Sequence, residues 1–231
     1  MKRTARLAGL LWLLSTVTGG FGLAYMRSNI IVPGDPAATA GNIHASEFWF
    51  RAAIAGILFG QVFMFFVGLT LFHLFREVNR RMATVLLASG LMSVGLAVAN
   101  TLNHFAALLV LSQADFLKVF NHEQLEAIAL VFLRLANGPG QGLLEIFWAP
   151  FYLSLGLLVI KSGYIPKVIG VLLMIMGAGF AVNILGKFLI PQFHPVMFTR
   201  LAMSFGALGG IPTILWLLIK GAKEPPQTSE A

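Results

Sequence analysis

The chain contains no cysteine among its 231 residues. Disulfides, thiolate metal sites and cysteine nucleophiles are therefore excluded. Charge is also scarce: Asp, Glu, Lys and Arg make up 11% of the residues, against about 25% in a soluble domain. The sequence has no P-loop, no G-x-G-x-x-G after a strand, no G-x-S-x-G and no H-E-x-x-H, so the usual signatures of phosphate, dinucleotide, ester and zinc chemistry are missing. Ser89, Ser93 and Ser204 lie in apolar runs with no His or Asp at helical spacing, which argues against a serine hydrolase.

What is present is apolar. Hydrophobic residues make up 58% of the chain and mean hydropathy is +0.84. Runs long enough to cross about 30 Å of hydrocarbon recur from end to end. The pattern predicts an all-α, polytopic membrane helix bundle of six transmembrane helices, with spans at about 7–25, 47–75, 82–112, 143–160, 166–190 and 196–219. The first run follows Lys2, Arg3 and Arg6 as in a signal peptide. It is long for a signal core and no Ala-x-Ala site follows, so a retained first helix is expected. Asp35 before Pro36 predicts the cap of a short helix over 36–43. Asn121 and Gln124 have the spacing of a capping box that opens an extra helix over 123–136, and Asn137-Gly138-Pro139-Gly140 should break it from the fourth span. The third and fourth helices are then too long for the bilayer and extend beyond it on the outer side. Residues 221–231 read as a disordered cytoplasmic tail after a single transmembrane domain over 1–220.

The basic residues set the orientation. Lys2, Arg3, Arg6, Arg76, Arg80, Arg81, Lys161, Lys167, Lys220 and Lys223 fall on one side; Arg27, Arg51, Lys118, Arg134, Lys187 and Arg200 fall on the other. The richer side is expected to be cytoplasmic, with both termini on it, in a cell (inner) membrane. The same placement in short loops turns the net charge of +7 into a topology signal and excludes a nucleic-acid partner. Gly56 and Gly60, and Ala202, Gly206 and Gly210, are spaced for close helix contacts, within the bundle or in an oligomer.

Three stretches carry a resemblance: ARLAGLLWLL at 5–14, IVPGDPAATAGNI at 31–43 and KSGYIPKVIGVLLMIMG at 161–177. Together they resemble a bacterial multi-pass membrane family catalogued as a domain of unknown function, over roughly residues 5–218. The resemblance implies a retained first helix and a multi-span fold, and it supplies no activity.

Polar groups inside a membrane are costly, so each is a candidate functional residue. They are Glu47, Arg51 and Gln61 on the second span; Asn100, Asn103 and His104 on the third; Arg134, Gln141 and Glu145 around the fourth; Asn183 and Lys187 on the fifth; and Arg200 on the sixth. All map to the outer half, which predicts an outward-facing polar pocket. Glu145, just past the Gly-Pro-Gly break, stands out, because broken helices expose free backbone groups. His104 with Glu145 is a weak metal candidate without ligand spacing, and no cofactor is predicted. Arg51, Arg134, Lys187 and Arg200 against Glu47 and Glu145 leave an excess of positive charge. The first expected function is thus binding or transport of a small anionic or amphiphilic ligand, such as a lipid headgroup. The alternatives are a membrane-embedded enzyme using Glu145 and His104, and a structural or regulatory protein whose Asn, Gln and Arg side chains only hold helices together. Beyond the lipid bilayer itself and such a ligand, no partner is indicated.

Overall fold

The structure is a computed structural model that describes residues 1–190 and 209–222, with the side chain of Lys187 left out. It is all-helical, and no strand occurs among the described residues. The helices are α1 (Lys2–Tyr25), continued by one π-helical turn at Met26–Ile30, α2 (Pro36–Ala45), α3 (Glu47–Phe75), α4 (Arg80–Val110), α5 (His122–Asn137), α6 (Pro139–Ser162), α7 (Lys167–Leu189) and α8 (Gly209–Ile219). Five stretches are long and apolar enough to cross a membrane: Lys2–Ile30, Glu47–Phe75, Arg80–Val110, His122–Ser162 and Lys167–Gly186. Most of the sixth expected span, 196–219, and nearly all of the tail expected at 221–231 lie outside the described residues.

Local chemistry explains where the helices stop and start. The Asp35 carboxylate accepts a bond from the Ala38 N–H at 2.9 Å, and Pro36 occupies the first helical position of α2. Asn79 accepts from Met82 N–H at 3.0 Å and so caps α4. Asn121 and Gln124 form a reciprocal box at the start of α5, with bonds of 2.9 and 3.0 Å. Each satisfies N–H groups that the first turn of a helix leaves without partners. Gly138 and Pro139 then separate α5 from α6, as the Gly-Pro pair predicts. Pro150 sits within α6 without ending it.

Contacts divide the chain into two units. Unit 1 is Met1–Leu13, Phe63–Val94 and Leu144–Ala231; unit 2 is Leu14–Val62 and Gly95–Leu143. Unit 1 has an aromatic core. Trp12 meets Phe151 edge-on at 6.4 Å, Trp148 stacks on Tyr152 at 5.5 Å, and Tyr152 stacks on Phe180 at 5.8 Å. Unit 2 buries Met26, Ile30, Ile43, Phe50, Ile54 and Leu133, with α2 packed on α5. Large apolar side chains also point outward, among them Phe48, Phe59, Leu102 and Val168. That surface suits hydrocarbon rather than water.

Small residues bring helices together inside each unit. In unit 2 a methyl group on Gly22 would meet the Ala53 carbonyl oxygen, and one on Gly56 would lie 2.8 Å from the Thr18 carbonyl oxygen. Gly60 lies against Gly19, and Ser15 Oγ donates to the Gly60 carbonyl at 2.8 Å. The Gly56/Gly60 face is thus occupied by α1 of the same chain. In unit 1 a methyl on Gly156 would lie 2.5 Å from the Gly170 carbonyl oxygen. Of the second expected pattern, Ala202 and Gly206 lie outside the described residues, and none of the described residues stands within 4 Å of a methyl group on Gly210. Replacing Gly22 or Gly156 by Val is expected to cost about 1–3 kcal/mol, as overpacking does. Gly41→Val, where nothing stands within 4 Å, should cost less. Thermal unfolding of the purified protein in detergent checks the ranking.

Candidate functional site

Arg51 sits one turn after Glu47 on α3. Its Nη2 and Nε both approach Glu47 Oε1, each at 2.7 Å. Both side chains are about half exposed, at 59% and 50%. An exposed i,i+4 pair contributes only about 0.3–0.5 kcal/mol, so stability does not account for it. Beside the pair lies a cavity of about 230 Å³, lined by Ile43, His44, Glu47, Arg51, Leu108, Leu111, Ser112 and Gln113. The lining combines ionic and hydrogen-bonding side chains with aliphatic ones. Gln113 has φ +57°, and it is the only non-glycine with positive φ among the described residues. Such a conformation persists where surroundings impose it and often marks functional positions. Trp49, two residues after Glu47 in α3 and not part of the cavity lining, is tilted on Tyr25 at 6.3 Å and meets Phe48 at 5.5 Å.

A second polar group sits at the junction of α5 and α6. The Asn100 amide donates from Nδ2 to the Ala136 carbonyl at 2.9 Å. That carbonyl belongs to the last turn of α5, where intrahelical partners run out. Asn103 donates from Nδ2 to Asn100 Oδ1 at 3.1 Å and holds its orientation. A methyl on Gly140 would collide with Asn100 Oδ1, so the chain entering α6 has glycine where Asn100 crosses it. A cavity of about 280 Å³ opens there, lined by Leu96, Ala99, Asn100, Asn103, Leu135, Pro139, Gly140 and Leu143. It shares no lining residue with the first cavity.

The third group belongs to unit 1. Glu145 on α6 and Asn183 on α7 are both buried, and Asn183 Nδ2 donates to Glu145 Oε2 at 2.5 Å. A buried carboxylate needs such donors. The geometry fits a link between helices.

The other expected residues are scattered. His104 in unit 2 is buried, and neither ring nitrogen has a hydrogen-bond partner, although the Thr101 backbone lies near the ring. Gln61 is half-buried and its Oε1 is unpaired. Arg134 is exposed and Gln141 half-buried. Lys187 follows Asn183 by one turn of α7, its side chain not described, and Arg200 lies outside the described residues. The structure therefore brings together Glu47 with Arg51, Asn100 with Asn103, and Glu145 with Asn183. Glu145 and His104 fall in different units. No three His, Asp or Glu side chains are placed to hold a metal among the described residues. Sequence reasoning missed His44, Ser112 and Gln113 as wall residues. Only the positive φ of Gln113 distinguishes that loop, and a sequence does not display it.

A family model described as "Domain of unknown function (DUF4386)" matches residues 7–221, and the chain belongs to that family. No curated protein and no solved structure matches it.

Asn100→Leu leaves the Ala136 carbonyl without its donor in apolar surroundings, and a loss of about 1–3 kcal/mol is expected. Arg134→Gln, an exposed change, should stay within about 0.5 kcal/mol. Unfolding midpoints of the two variants in the same detergent test the difference.

Proposed function

We propose that this DUF4386 protein is a six-span cell-membrane protein with both termini in the cytoplasm. We further propose that the Glu47–Arg51 cavity of unit 2 opens outward and binds the polar head of a small amphiphile. Support for the orientation comes from the basic residues gathered at the ends of α1, α3, α4, α6, α7 and α8. Helix length supports the extension: α3 and α4 have 29 and 31 residues, about 43 and 46 Å at ~1.5 Å per residue. Both exceed the ~30 Å of hydrocarbon. The surplus stands outside it, together with α2 and α5.

One observation carries the ligand reading. Trp49 falls between Glu47 and Arg51 along α3, so the cavity is level with the Tyr25–Trp49 ring pair, and Tyr and Trp concentrate at the membrane–water boundary. At that depth a polar wall of Glu47, Arg51, His44 and Ser112 meets headgroups, while Ile43, Leu108 and Leu111 meet the first part of an acyl chain. About 230 Å³ is below the ~300–1,000 Å³ typical of a drug-sized ligand pocket; it suits a headgroup. Among the described residues, the charges lining it are one carboxylate and one guanidinium, His44 aside. Arg134, which contributed to the earlier excess of positive charge, is not among them. An amphiphile is therefore favoured over a free anion.

Binding of a fluorescent lysophospholipid to the purified protein tests this. Saturable binding is expected, weakened about tenfold in Arg51→Ala, the loss of one charge-assisted hydrogen bond. Arg134→Ala should bind as wild type. Equal affinity in wild type, Arg51→Ala and Glu47→Ala would sink the proposal.

A further inference from the structure

Charge is distributed very unevenly between the two units. Unit 2 carries four Lys and Arg residues against five Asp and Glu. In unit 1 the described exposed cations are nine, and the one described exposed acid, Glu77, is already paired with Arg76 at 3.2 Å. Three of these cations, Lys2, Arg3 and Arg6, open α1. Arg76, Arg80 and Arg81 flank the α3–α4 turn. Lys161 and Lys167 flank the α6–α7 turn, and Lys220 follows α8.

Packing gathers these turns at one end of unit 1. Phe75 stacks on Tyr164 at 6.0 Å, joining the α3–α4 turn to the α6–α7 turn. A methyl on Gly221 would lie 3.4 Å from the Lys2 carbonyl oxygen, and Arg6 Nη2 donates to the Ile219 carbonyl at 3.4 Å. The end of α8 therefore lies against the start of α1. Ala5, Phe75, Tyr164 and Ala222 belong to one buried cluster beneath.

Among the described residues this concentration of like charge opposes folding unless opposite charge answers it. Mutual repulsion is one cost. The helix dipoles add another: α1, α4 and α7 begin with basic side chains and have no acid in their first turns. A cluster of basic residues just beyond membrane helices is what the negative potential of an anionic leaflet attracts. We propose that this end of unit 1 is a docking surface for anionic phospholipid headgroups, centred on the Arg76–Arg81 and Lys161–Lys167 turns. It is separate from the cavity beside Glu47. It engages diffuse negative charge rather than one shaped ligand, because the cations lie on several turns and all are exposed.

The test is the unfolding midpoint of the full-length protein in vesicles of phosphatidylcholine alone, and of phosphatidylcholine mixed with phosphatidylglycerol. The mixture is expected to raise the midpoint by about 4 °C, since a ligand that favours the native state stabilises it. Salt at about 1 M should abolish the gain. An Arg80→Gln/Arg81→Gln/Lys167→Gln variant should lose most of it, and the corresponding Arg→Lys double variant with Lys167 intact should keep it. Equal midpoints in the two vesicles, or a gain that survives salt, overturn the proposal without need of a variant. So does a gain reproduced by inorganic phosphate in phosphatidylcholine alone, which would indicate a soluble-anion site.

Discussion

The Asn100 amide meets the Ala136 carbonyl where a long helical stretch is interrupted, and the fold around it depends on that bond. Backbone groups in apolar surroundings must find partners within the protein, because water does not replace them. At Asn137–Gly138–Pro139 the chain gives up helical continuity and leaves carbonyls of α5 unbonded. Gly138 N–H returns to Arg134 O, Asn100 reaches across from α4 for Ala136 O, and the Asn137 side chain adds a bond to Leu133 O. On the other side of the break from α6, α5 packs against α2. Asn103 steadies Asn100, and Gly140 gives it room. Asn100 and Asn103 beside the second cavity are thus explained without a ligand.

The same reasoning sorts the remaining polar residues. Glu145 and Asn183 answer each other across α6 and α7. Glu47 and Arg51 differ, because the bond between them is exposed and contributes little to stability. They stand beside a cavity walled partly by a residue in a left-handed conformation. A pair that does not hold the fold together, at a point where the backbone is constrained, is the better candidate for function. Close helix packing at glycine is what leaves such side chains free: Gly22, Gly56 and Gly60 in unit 2, and Gly156 in unit 1, hold helices by backbone contact.

Much of the fold was legible in the sequence because its signals are local. Asp35 before Pro36, Asn121 with Gln124, and Gly138 before Pro139 each act within one turn, and each appears where the spacing predicts. The Gly56/Gly60 pattern also reads correctly as a contact face, since a spacing of four residues keeps one side of the helix. The site was harder to read. Hydropathy places Glu47, Asn100 and Glu145 at a depth but does not say which neighbour each side chain reaches. The bonds that decide this link residues 36 and 38 positions apart. His44, Ser112 and Gln113 look like ordinary loop and helix-end residues until the chain brings them together with Arg51.

The central claim is that the wall formed by His44, Glu47, Arg51 and Gln113 holds the head of an amphiphile. Photo-crosslinking with a lysophospholipid carrying its reactive group in the head tests it most directly, with the modified peptides located by mass spectrometry. The account predicts modification concentrated within Ile43–Arg51 and Leu108–Gln113. Labelling spread evenly along the exposed apolar faces, with no enrichment in those two segments, would contradict it.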